Sequence, residues 1–169
     1  MRSLKTSLKA SLEGWRRIAF LGIGSELRGD DAAGPKVLER LEASLGGRDD
    51  IAFFHGGSAP ENLTGAIREF GPTHLVVIDA ADLGMKPGSV RVIDEGEIGG
   101  ASFSTHSLPL PIILGYLRST VKAGEIVIGI QPGSLEFDSP VTAPVAVAAA
   151  SLADDIIHSV EKTGSGKKR

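Results

Sequence analysis

The chain has 169 residues, 41% of them hydrophobic, a net charge of −3 and no cysteine. That is enough for one domain with its own core, and the missing thiols exclude disulfides, a cysteine nucleophile and Cys-ligated zinc or iron–sulfur centres. Residues 1–17 hold five Lys and Arg against one Glu and residues 167–169 are all basic, leaving ten Lys and Arg against twenty Asp and Glu between them; so acidic a body argues against a nucleic-acid partner.

In chain order, Leu4, Leu8, Leu12 and Trp15 form a helical stripe and not the continuous apolar core of a signal peptide. Residues 1–16 are therefore expected to be an amphipathic helical extension, 17–163 an α/β domain and 164–169 a basic flexible tail. Arg17 to Gly22 is a strand apolar enough for burial on both faces, and GIGSELRGDD after it is a loop. From Ala32 a helix places Val37, Leu38, Leu41 and Leu45 on one face, with Pro35 in the first turn, where a missing N–H costs least. IAFFHGG is a second strand, and PENLTGAIREFGP a helix that Gly71-Pro72 ends.

THLVVIDA is the clearest strand, and GSVRVIDEG an added one with antiparallel pairing open to it. SLPLPIILGYLRST has the pattern of a helix interrupted near Pro111, EIVIGIQP that of a strand, and PVTAPVAVAAASLADDIIHSVEKTG that of a long closing helix. The alternation predicts a single-domain α/β fold, a twisted, mostly parallel sheet between helices in three αβα layers. No run approaches the ~18 uninterrupted apolar residues of a membrane span. A cytoplasmic protein is expected, with a monomer as the simplest state.

Open parallel sheets bind ligands beyond the carboxyl ends of their strands. Asp30 and Asp31 follow the first strand, Asp79 ends the LVVI run of the third, and His106 lies in the Ser/Thr-rich loop FSTHSLP before a helix. Two carboxylates and an imidazole make an O,O,N set that suits nickel or zinc with positions left open. An acid at a loop-to-helix junction is ordinarily a cap or a brace. Two are not needed, so Asp31 has the better claim to chemistry and Asp30 to bracing. His55, His74 and His158 read as packing or surface residues. Gly22-Ile23-Gly24 opens like a dinucleotide fingerprint, but Leu27 stands where the third glycine should and the acids would repel a pyrophosphate. No organic cofactor is expected, and RGD at 28–30 is a chance match.

GIGSELRGDDAAG, GGSAPEN at 56–62, HLVVIDAADLGMKPGSVRVID at 74–94, STHSLPL at 104–110 and GIQP at 129–132 together resemble the [NiFe]-hydrogenase maturation endopeptidases, most nearly the hydrogenase 3 (formate hydrogenlyase) type. The likeness runs in order from about residue 18 to 145. It implies an α/β peptidase that removes a C-terminal extension from the hydrogenase large-subunit precursor once nickel has been inserted. It also implies metal contacts from Asp31, Asp79 and His106, with Gly24 and Asp30 supporting the loop. The nickel would arrive with the substrate. Ser25 stands where the family usually has Asn, and Ala32 where it often has Gly.

Two chemistries fit those residues: the metal polarises the scissile carbonyl or activates a water, or a carboxylate acts as general base in the manner of an aspartic peptidase. A serine triad lacks its G-x-S-x-G elbow. The readings from other classes are a non-catalytic chaperone that binds the nickel-loaded precursor, and a small nucleotide-binding domain.

Overall fold

The apolar run IAFLGI forms β1 (Ile18–Ile23), and all six of its residues are buried, as a central strand covered on both faces requires. The computed structural model that shows this describes residues 3–99, 102–103 and 108–164. Alternation along β1 divides the core. Ile18 and Phe20 pack with one apolar cluster, Ala19 and Leu21 with the other.

The helices distribute accordingly. On the first face lie α1 (Leu4–Ser11), α2 (Ala33–Leu45) and α6 (Ala143–Thr163). On the second lie α3 (Thr64–Phe70), the short α4 (Glu95–Ile98) and α5 (Leu110–Thr120). The remaining strands are β2 (Ile51–Gly57), β3 (His74–Asp82), β4 (Val90–Ile93), β5 (Ser102–Phe103) and β6 (Gly124–Ile130). The sheet runs β2-β1-β3-β6-β4, with β5 paired to β3 off that path. β1, β2, β3 and β6 are parallel. β4 pairs antiparallel with β6, and β5 antiparallel with the end of β3.

The fold is thus the expected three-layer α/β arrangement, with differences of detail. α5 is not interrupted at Pro111: it begins at Leu110, so Pro111 lies in the first turn, where no intrahelical bond is lost. The expected helix over PENLTGAIREF divides into a 3₁₀ turn (Pro60–Leu63) and α3, which ends on Gly71 at φ 66°. α4 and β5 are too short to show a period in the sequence. α6 is long and apolar enough to cross a membrane by length and composition alone, but Val145, Ala149, Leu152, Ile156 and Val160 are core.

The N-terminal helix folds back on the body. Leu8, Leu12 and Trp15 are buried, the Trp15 indole N–H donates to the Val160 carbonyl at 3.2 Å, and Lys5 pairs with Asp155 at 3.2 Å. Burial of the apolar stripe outweighs that exposed ion pair, because such pairs contribute about 0–1 kcal/mol and a buried Leu about 2. Leu8→Ala is therefore expected to cost about 2–4 kcal/mol in urea unfolding; a loss below about 0.5 kcal/mol would contradict this packing.

Candidate active site

β2 and β3 flank β1 on opposite sides, so the chain leaves β1 in one direction and returns in the other. A crevice opens at such a switch point beyond the carboxyl ends of the strands. The start of α2 closes tightly over it. A Cβ at Gly34 would lie 2.3 Å from the Ile23 carbonyl oxygen and 2.5 Å from that of Ile78, so only glycine lets the helix sit against the ends of both β1 and β3. Three residues before Gly34 is Asp31; one residue after Ile78 is Asp79. This close approach brings the two acids to one edge of the sheet, and both are buried, at 4% and 0% exposure.

Neither Asp30 nor Asp31 caps α2. Both lie in a 3₁₀ turn, Gly29–Ala32, and the N-cap of α2 is Ala32, which has no capping side chain. The turn sends the two side chains to different partners. Asp30, fully buried, accepts the backbone N–H of Gly133 (2.7 Å), Ser134 (3.0 Å) and Thr142 (2.6 Å), and the Thr142 hydroxyl (2.8 Å). Burial works to raise its pKa, but the bonds to Thr142, Gly133 and Ser134 together win, and the carboxyl is held below its ordinary 3.8. Asp30 is thereby spent on binding the 131–142 loop to the turn.

Asp31 faces the other way. Its Oδ2 accepts the Ser25 backbone N–H at 2.7 Å. Its Oδ1 is buried with no hydrogen-bond partner among the described residues. Ser25 does this with its main chain, and its hydroxyl accepts from the Leu27 N–H at 3.3 Å, so the contact needs no Asn side chain. Gly24 makes the approach possible. Its φ is +130°, and a Cβ there would fall 1.8 Å from the Asp31 carbonyl oxygen.

His106 lies outside the described residues. Among those that are described, no group of three or more His, Cys, Asp or Glu is arranged to hold a metal ion. The other histidines stand apart. His55 is exposed and pairs with Glu42 at 2.9 Å, His74 is half-buried with its pKa lowered by burial, and His158 is exposed on α6.

Two supports escaped the sequence reading. Thr142 gives Asp30 both its N–H and its hydroxyl. Gln131, 8% exposed, accepts the N–H groups of Leu83 (2.6 Å) and Met85 (3.2 Å) through Oε1 and so fixes the chain leaving β3. A buried amide directly after the apolar EIVIGI strand was the available signal, since such a group must find partners.

Next to the acids lies an open groove of ≈ 530 Å³ whose lining includes Gly24, Ser25, Glu26, Leu27, Glu39 and His55. Among the described residues this buried carboxylate oxygen has no donor, and it is free there to accept a cation, a proton or a water. The site therefore suits cation binding or base catalysis on a chain lying in the groove.

A family model described as hydrogenase maturation protease matches residues 35–159. The hydrogenase 3 maturation protease of Escherichia coli K12 is 39% identical over 128 residues, 75% of this chain and 80% of that one. A Methanocaldococcus jannaschii chain is 34% identical over 165 residues, covering 94% of this chain and 97% of its own length. The crystal structure of a [NiFe] hydrogenase maturation protease from Thermococcus kodakarensis superposes with a TM-score of 0.83 at 33% identity, over 92% of this chain and 99% of the other.

The pKa of Asp30 gives a test with a fixed sign. A carboxyl whose pKa is lower folded than unfolded stabilises the protein fully above the unfolded value, and that stability is lost as pH falls through the folded one. Asp30→Asn is expected to cost about 1–3 kcal/mol at neutral pH. The gap to wild type should narrow as pH falls below the ordinary 3.8; a gap that is constant or widens on acidification in chemical unfolding would contradict the assignment.

Proposed function

The chain belongs to the hydrogenase maturation proteases, peptide hydrolases that act on hydrogenase large-subunit precursors, and from that premise we propose that it removes a C-terminal extension only after nickel has been inserted into the precursor. Membership displaces the chaperone and nucleotide-binding readings, neither of which hydrolyses a peptide. The observation that supports the nickel reading is the buried Oδ1 of Asp31, which has no hydrogen-bond partner among the described residues, together with the buried Asp79.

In this reading the nickel is cargo of the substrate. Asp31 and Asp79 engage it, and His106, from the loop before α5, completes an O,O,N set suited to a borderline divalent ion. Ser25 holds Asp31 by Oδ2, which leaves Oδ1 for the ion. Gly24 allows the loop to close on Asp31, and Asp30 keeps the floor of the site rigid. The precursor chain then lies in the groove beside Glu26 and Leu27 with its scissile carbonyl near the acids.

Hydrolysis follows by one of two routes. The ion polarises the carbonyl or lowers the pKa of a water, or a carboxylate takes the proton from the attacking water. Either route is favoured when the loaded client brings positive charge to the site, because a cation offsets the repulsion between neighbouring carboxylates. Ordinary unfolded peptides supply no such charge and should not be cut. We place the activity in the cytoplasm, with the enzyme acting as a monomer.

Asp31→Asn, Asp79→Asn and His106→Ala are each expected to slow cleavage of the nickel-loaded precursor by roughly 10²-fold or more, read as loss of one C-terminal peptide by intact-mass spectrometry. Wild-type rates in all three variants would move the site elsewhere. Casein should remain intact with the purified enzyme, and its efficient digestion would contradict dependence on a metallated client.

A further inference from the structure

Resting on the peptidase reading, we propose that Leu27, Leu135 and Phe137 form an apolar docking lip that takes large apolar side chains of the precursor segment flanking the scissile bond. Exposed apolar residues scattered singly need no explanation. These three are not scattered. Leu27 is 60%, Leu135 38% and Phe137 73% exposed, and they lie on two short segments hydrogen-bonded side by side. The Asp138 N–H donates to the Leu27 carbonyl (2.8 Å), the Gly29 N–H to that of Ser139 (3.1 Å) and the Asp30 N–H to that of Ser134 (2.9 Å), while the Arg28 Nε donates to the Leu135 carbonyl at 3.4 Å.

What identifies the occupant is continuity with the groove and the charge around the lip. Leu27 belongs to both: it lines the groove with Gly24 and Ser25, and Ser25 holds Asp31. A chain lying in that groove with a peptide bond at Asp31 meets the lip within a few residues. The lip is interleaved with the exposed acids Glu26, Glu136 and Asp138, against Arg28 alone. Two copies meeting lip to lip would set acid against acid, whereas an apolar segment flanked by basic residues would be complementary.

The lip is also already in its binding shape. The four bonds to Asp30 fix both ends of the loop that carries Leu135 and Phe137, so ordering it costs the complex little. One tetrapeptide, Gly29–Ala32, therefore sets the acid at the scissile bond and the surface that receives the flanking residues.

The test is steady-state cleavage of the nickel-loaded large-subunit precursor from the same organism, by wild type, Leu27→Ser, Phe137→Ser and Phe137→Leu, each first checked for an unchanged Tm. Both serine variants are expected to raise KM about tenfold with kcat within about twofold, and Phe137→Leu to return KM most of the way. A KM within about twofold of wild type in both serine variants, at whatever kcat, would overturn the lip and leave the peptidase standing. Absence of cleavage by wild type would remove the peptidase reading and the lip with it. A wild-type dimer in sedimentation that Phe137→Ser dissolves would give the lip to a second copy and overturn the client assignment.

Discussion

A single buried carboxylate, that of Asp30, holds together the two segments on which the rest of the site depends. Alone in the interior it would be costly, and with three backbone N–H donors and the Thr142 hydroxyl that cost becomes a fastening. A neutral side chain of the same size can accept fewer of these bonds, and a shorter one reaches none of them. The loop from Gln131 to Thr142 and the turn at Gly29–Ala32 are consequently one unit. Asp31 cannot shift without disturbing the fastening next to it.

The sheet determines why the unit is where it is. β1 is buried on both faces and lies between β2 and β3, so the chain must diverge at its carboxyl end and a crevice must open there. Gly34 lets α2 seat against the ends of β1 and β3. The contact that closes the core at this edge therefore also brings Asp31 towards Asp79. Core packing and site assembly share the same few residues, and both would fail with any larger side chain at Gly34.

Much of this was legible in the sequence because the signals were strong and local. The apolar runs at 18–23 and 75–78 suit strands buried on both faces, Pro35 marks a first helical turn, and an acid directly after four apolar strand residues needs a reason to be buried. The division of labour between Asp30 and Asp31 was legible only as an expectation, since adjacent acids differ by where their turn points them. Thr142 was not legible, because its partner Asp30 is 112 residues away and no local pattern announces a hydrogen bond across that distance. Gln131 carried a signal, an amide directly after an apolar strand, but nothing local named its partner 48 residues away. Pro111 misled for a related reason: a proline breaks a helix or begins one, and only the position of the first turn decides which.

The central claim is that the buried pair, Asp31 and Asp79, reads the metal state of a client. The most direct measurement incubates the wild-type enzyme with one precursor in two forms, nickel-loaded and nickel-free, and follows the intact mass of each. The account predicts loss of a single C-terminal peptide from the loaded form and an unchanged mass for the other. Equal cleavage of both would show that the acids do their chemistry without the metal, and would contradict it.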